Sequence, residues 1–227
     1  MGVFDLIFPR KCFGCGKDGS YICSSCAGKL KPSRQVCGVC SRPSTKGMTH
    51  FGCKTLDSLD RLVSIWDYEG GIRKAILALK YKFALEIARE VSKLIAKEMK
   101  KEGFAFPSDT VLVPVPLHWH RANWRGFNQV EEIGKLVSKE MGWKFMPDLL
   151  QRKISTVPQT ELKREERLKN IRGIFSLNPR YNIQNTKYPV LIFDDVWTTG
   201  STIKEAAKVL KRGGAREIWG FTITKGR

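Results

Sequence analysis

Residues 190–202, VLIFDDVWTTGST, set an apolar run against two carboxylates, Asp194 and Asp195, and then against the turn Thr198, Thr199, Gly200, Ser201 and Thr202. Adjacent acids repel each other, so strand formation alone does not call for them. Backbone N–H groups in a tight turn at a helix start favour an anion, and the hydroxyls add donors. The turn is therefore a cradle for one phosphate monoester. It is not a Walker loop, because G-x-x-x-x-G-K-[ST] is missing. Carboxylates do not welcome phosphate, but they accept hydrogen bonds from vicinal hydroxyls and help to hold Mg²⁺ through water. A single ligand with a 5-phosphate and a 2,3-diol satisfies both halves. The blander reading is a sheet-end turn capped by acids, and two Asp followed by TTGST weigh against it.

A second chemistry lies near the N-terminus. All seven cysteines fall between Cys12 and Cys53. In a cytosolic chain, clustered CxxC pairs point to metal ligands ahead of disulfides. CFGCGKDGSYICSSC supplies Cys12, Cys15, Cys23 and Cys26, a tetrahedral set for Zn²⁺. Cys37, Cys40, His50 and Cys53 form a second set, with HxxC where another CxxC would stand. His50 is either a ligand or a surface residue beside a degenerate knuckle, so the expectation is one or two zinc ions. Spacing favours sequential pairing over an interleaved, cross-braced unit. Four protein ligands leave no open position for water, so the sites read as structural. GCGKDG (14–19) matches G-x-G-x-x-G only by accident, since it lies between knuckles and not between strand and helix. The cysteine block sets a boundary: a zinc-binding domain over 1–57 and a second domain over 58–227.

These groups need elements to position them. A chain of 227 residues holds one substantial core and a small appendage. RLVSIWDY (61–68), TVLVPVP (110–116), the run at 190–193 and EIWGFTI (217–223) read as strands, the third ending at the acid pair. Helical spacing appears over 69–82, 85–100 and 129–141, and again in TIKEAAKVLKRGG, where Gly213 and Gly214 give the stop. Strands alternating with helices predict an α/β fold with a mostly parallel sheet covered on both faces. The irregular stretch 148–189 predicts a functional loop or a small subdomain. No apolar run is long enough to span a bilayer, and MGVFDLIFPRK resembles neither a secretory signal nor a myristoylation site. The expected address is the cytoplasm. The net charge of +18 suggests a polyanionic partner, nucleic acid or a phosphorylated ligand, against the plainer reading of a Lys-rich solvated surface.

Four apolar residues, two acids and a small-residue loop resemble the 5-phosphoribosyl 1-pyrophosphate (PRPP) motif of type I phosphoribosyltransferases. Over nearly its full length the chain resembles the ComF competence family, which joins a cysteine-rich zinc head to a phosphoribosyltransferase-like domain. LVPVPLHWHRANWRGFNQ (112–129) and VPQTELKREERLKNIRGIF (157–175) resemble that family's other signatures, and His50 is the departure. The resemblance implies PRPP bound with Mg²⁺ by Asp194, Asp195 and residues 198–202. Among His118, His120, Arg121 and Arg125, a guanidinium such as that of Arg125 would neutralise pyrophosphate bidentately. Lys80 and Lys82 would reach the same group, although cations at a helix C-terminus need no ligand to be there. Trp119, Trp124 and Phe127 either stack a base or close a core. The basic residues of 163–172 either cover the pocket or track a nucleic-acid backbone, and Glu161, Glu165 and Glu166 support the rival reading of a solvated helix.

In a transferase, Asp194 and Asp195 would be the catalytic pair, steadying the sugar while pyrophosphate leaves C1. No general base is named. The family implies DNA uptake in natural transformation, with single-stranded DNA and an ATP-dependent competence helicase as partners. Three readings stand: a PRPP-dependent transferase, a single-stranded DNA-binding factor whose PRPP pocket is regulatory or degenerate, and an adaptor docked through its zinc head.

Overall fold

The computed structural model describes residues 10–79, 84–104, 106–117, 127–153, 173–184 and 186–226. Its centre is a sheet of five strands: β1 (Arg61–Asp67), β2 (Val111–Pro114), β3 (Lys144–Phe145), β6 (Val190–Trp197) and β7 (Ile218–Lys225). They lie in the order β1-β7-β6-β2-β3, and every neighbouring pair is parallel. Strands of such a sheet are buried on both faces, which is why β6 opens with four consecutive apolar residues in place of an alternating pattern. Leu191 and Phe193 join one core layer, while Val190 and Ile192 join the other.

Three helices cover the first layer. α1 (Gly70–Ala78) contributes Ile72 and Ile76, α2 (Ala84–Lys101) contributes Ile87, Val91 and Ile95, and α3 (Gln129–Met141) contributes Ile133 and Val137. Each set recurs at three or four residues, the period of one helix face. Asn128 starts α3 by accepting from the N–H of Val130, and Gly142 ends it at φ 71°. The opposite layer holds α4 (Ser201–Arg212), with Ile203, Ala206, Ala207 and Leu210 turned inward. Beside α4 lies an antiparallel pair, β4 (Leu150–Arg152) and β5 (Phe175–Leu177), whose Leu150 and Phe175 complete that core.

The cysteine-rich head closes the sheet edge at β1. Ser33 N–H donates to Ile65 O at 2.8 Å and Asp67 N–H to Lys31 O at 2.9 Å, so the 31–33 segment lies along β1. Met48 forms an antiparallel bridge with Arg61 on the same strand. An edge that would otherwise template pairing with another chain is covered. Phe13, Tyr21 and Leu30 pack on the α1–α2 layer, and Val36 enters the α4 layer, so the head straddles both faces.

The mostly parallel, doubly covered sheet with a small cysteine-rich head is the fold class the sequence predicts. One boundary differs. The apolar run 190–193 was expected to end at the acid pair, yet β6 continues to Trp197, because β7 offers Thr222, Thr224 and Lys225 as partners for Asp194, Val196 and Trp197. The irregular stretch 148–189 contributes the β4–β5 pair, and residues 154–172 and 185 of it lie outside the described residues. Among the described residues, no helix is long and apolar enough to cross a membrane.

Candidate ligand crevice and zinc centres

The first metal set forms from a local turn. Gly16 N–H donates to Cys12 O at 2.8 Å, closing the knuckle, and Gly16 takes φ 79°. Gly14 lies against the opposing knuckle: a Cβ there would stand 2.6 Å from Cys26 Sγ, so only glycine lets the halves meet. The ligand atoms of Cys12, Cys15, Cys23 and Cys26 all lie within 4.8 Å of one another. Cys15 and Cys23 sulfurs are 3.7 Å apart, close to the roughly 3.8 Å that two thiolates span across a tetrahedral zinc with bonds of about 2.3 Å. Burial pushes the Cys12 thiol up, but N–H groups of Cys23, Cys15 and Gly14 outweigh it and bring the thiol from 9.0 down to about 6. That favours the thiolate, the form that binds metal. The first centre fits zinc.

The second set repeats the geometry with one substitution. Ser41 N–H donates to Cys37 O at 2.9 Å, and Ser41 takes φ 60° where the first knuckle has Gly16. Cys37, Cys40, His50 and Cys53 likewise place their ligand atoms within 4.8 Å of one another. His50 turns Nδ1 toward Cys40 Sγ at 3.4 Å and Nε2 toward Pro43 O at 3.1 Å. A carbonyl can only accept, so it fixes the proton on Nε2 and leaves Nδ1 free to ligate. Cys40 is lowered to about 6, first by a hydrogen bond from Arg42. His50 thus fits as the fourth ligand, the clusters pair sequentially, and the head offers two sites that fit zinc. All four positions of each are filled by protein.

The candidate ligand site lies where β6 ends, at the carboxyl edge of the sheet, the usual place for ligands in open α/β folds. Asp194 and Asp195 stand side by side, each half-buried. Asp195 N–H donates to Asp194 Oδ1 at 2.9 Å. Thr224 Oγ1, fully buried on β7, donates to Asp195 O at 3.2 Å and fixes the backbone of the pair. The Asp194 carboxyl is raised well above 3.8, first by burial and then by the neighbouring charge of Asp195.

The turn after β6 is shaped by Trp197 and Gly200. Gly200 takes φ 71° as the N-cap of α4, and a Cβ on it would stand 2.0 Å from the buried Trp197 ring. The residue must be glycine on both counts. The N-cap Gly200 has no side chain with which to cap α4. Ser201 N–H reaches Thr199 Oγ1 only at 3.4 Å, and the Thr199 and Ser201 hydroxyls sit 3.1 Å apart. An uncapped N-terminus with convergent hydroxyls keeps its donors for an anion.

The structure places Asp194 and Asp195 near the end of β6 and Thr198–Thr202 in the turn and first residues of α4, and it brings the eight expected metal-ligating positions together as two clusters. Lys80, Lys82 and Arg125, expected at pyrophosphate, lie outside the described residues, as do His118, Trp119, His120, Arg121, Trp124 and the basic stretch 163–172. Of the three aromatics proposed for stacking, Phe127 is described and half-buried. Two residues had no role from sequence. Gln129 opens α3 and donates through Nε2 to Asp195 Oδ2 at 3.4 Å. Lys204, in the first turn of α4, reaches Val39 O of the second knuckle at 3.4 Å and lies over the Trp197 ring at 5.5 Å. Their only sequence signal is position, one beside a helix cap and one just beyond the Thr198–Gly200 turn.

Together, the parallel sheet, the acid pair with the turn that follows it, and the two cysteine-rich clusters define an α/β domain carrying a paired zinc-ribbon head. Residues 3–54 match the family model described as a double zinc ribbon domain. DNA utilization protein YhgH of Escherichia coli K12 is 30% identical over 209 residues, covering 87% of this chain and 88% of the relative. Competence protein F of Haemophilus influenzae is 28% identical, covering 94% and 97%, and competence protein ComFC of Bacillus subtilis is 25% identical, covering 92% and 86%. Among solved structures, a Staphylococcus aureus hypoxanthine phosphoribosyltransferase is 14% identical, with a TM-score of 0.38 over 61% of this chain and 62% of that chain. The chain belongs to the ComF family of competence and DNA utilization proteins.

Proposed function

We propose that this chain is a DNA utilization protein that binds PRPP with Mg²⁺ at the β6–α4 crevice and handles single-stranded DNA during uptake. The observation that carries the reading is the juxtaposition of a carboxylate pair and an uncapped, hydroxyl-lined helix start on consecutive residues. Donors for a 5-phosphate and acceptors for a ribose diol lie one turn apart, as one phosphorylated sugar requires. In a transferase reaction at C1, the carboxylates would steady the sugar as positive charge grows on its ring. Departing pyrophosphate must be met by cations, and Mg²⁺ when bound supplies part of that charge. PRPP with Mg²⁺ should raise the melting temperature by linkage, and Asp194→Ala with Asp195→Ala should abolish the rise. An equal rise in the double variant removes the ribose assignment.

A second reading, binding without turnover, draws on the net charge of +18, which a small-molecule transferase does not need. Pyrophosphate release from labelled PRPP in the presence of candidate acceptors separates the two. A transferase releases it with one of them, and a PRPP-gated DNA-binding protein releases none.

A further inference from the structure

Gln129 is 5% exposed, and only one end of its amide is engaged among the described residues. Nε2 donates to Asp195 Oδ2 at 3.4 Å, while Oε1 is buried without a hydrogen-bond partner. Reversing the amide would set Oε1 against a carboxylate oxygen, acceptor against acceptor, so Asp195 dictates the orientation. A buried acceptor lacking a donor is a cost that folding alone would remove by placing an apolar side chain of similar size there. The local structure holds the glutamine firmly. Asn128 caps α3 and also donates through Nδ2 to Val115 O at 3.2 Å, tying the helix start to the segment that follows β2. The side chain therefore reaches the acid pair from the face of the sheet opposite α4.

Resting on the PRPP reading above, we infer that Gln129 is a positioning residue for sugar recognition: it fixes the Asp195 carboxylate so that the remaining acceptor sites face the ligand's hydroxyls. Its contribution falls on the sugar half of the ligand and leaves the phosphate half, held by residues 198–202, untouched. Fixing a carboxylate in advance removes the need to order it when ligand arrives, which is worth most for a group that must meet two hydroxyls at once.

Calorimetric titrations of the full chain with ribose 5-phosphate and with inorganic phosphate, both in Mg²⁺, test this. Gln129→Leu keeps the volume and removes the donor, and Gln129→Glu keeps the shape and removes the donor. Both should weaken ribose 5-phosphate about tenfold or more while leaving inorganic phosphate within about twofold of the parent. Equal affinity for ribose 5-phosphate in parent and variants overturns the inference. So does a parallel loss for both ligands, which would make Gln129 a support of the whole crevice. Failure of the parent protein to bind ribose 5-phosphate overturns the PRPP reading itself.

Discussion

At the scale of the residue, the crevice is built from groups that would be better placed elsewhere if folding were their only purpose. Asp194 is crowded by protein and by Asp195, and its carboxyl is raised well above 3.8. Such a carboxyl keeps its proton in the folded chain at a pH where the unfolded chain has lost it. Stability therefore falls as pH rises through a window that opens near 3.8 and closes at the folded value. Asp194→Asn removes that penalty. At pH 7 the variant should melt higher than the parent, by about 2–4 °C for a chain of this size, and the gain should vanish toward pH 3. It should also lose PRPP binding. A parent-like or lower melting temperature at pH 7 would mean that the carboxylate is well accommodated and that the acid pair holds no strain for a ligand.

At the scale of the element, the second zinc ribbon is tied to the turn that follows β6. Ribbon two offers Val39 O to Lys204, Lys204 lies over Trp197, and the Trp197 ring sits against Gly200 at the mouth of the loop. Native mass spectrometry should find two zinc ions per chain, and His50→Ala should leave one, with a melting temperature lower by several degrees. One zinc in the parent, or two in the variant, contradicts the His50 assignment. The β6–α4 unit was legible in the sequence because its parts are consecutive: an apolar run, acids, a small-residue turn and an amphipathic helix stopped by glycines. The metal knuckles were legible for the same reason, although HxxC alone could not decide His50, whose role depends on where each ring nitrogen points. What escaped depends on contacts between distant residues. Gln129 meets Asp195 across 66 positions, and Lys204 meets Val39 across 165. Strands β3, β4 and β5 are two or three residues long, too short for any periodicity. The end of β6 was misplaced because β7, and not β6's own composition, decides how far the ladder runs.

At the scale of the whole molecule, the chain carries 40 Lys and Arg against 22 Asp and Glu, and the proposed sugar phosphate site lies at one edge of its sheet. If that charge serves single-stranded DNA, binding releases counterions, and affinity should fall more than about tenfold between about 50 and 200 mM salt. Fluorescence anisotropy with a labelled oligonucleotide measures this, and salt-insensitive or absent binding would leave the charge as a solvated surface. Two kinds of anion would then meet on one chain, DNA over the surface and PRPP at the sheet edge. The most direct measurement of the central claim is a crystal of this protein soaked with PRPP and Mg²⁺. The account predicts the ribose diol within hydrogen-bonding distance of Asp194 and Asp195, with the 5-phosphate on the turn from Thr198 to Thr202. A crevice left empty at saturating ligand, or a phosphate bound away from that turn, would contradict it.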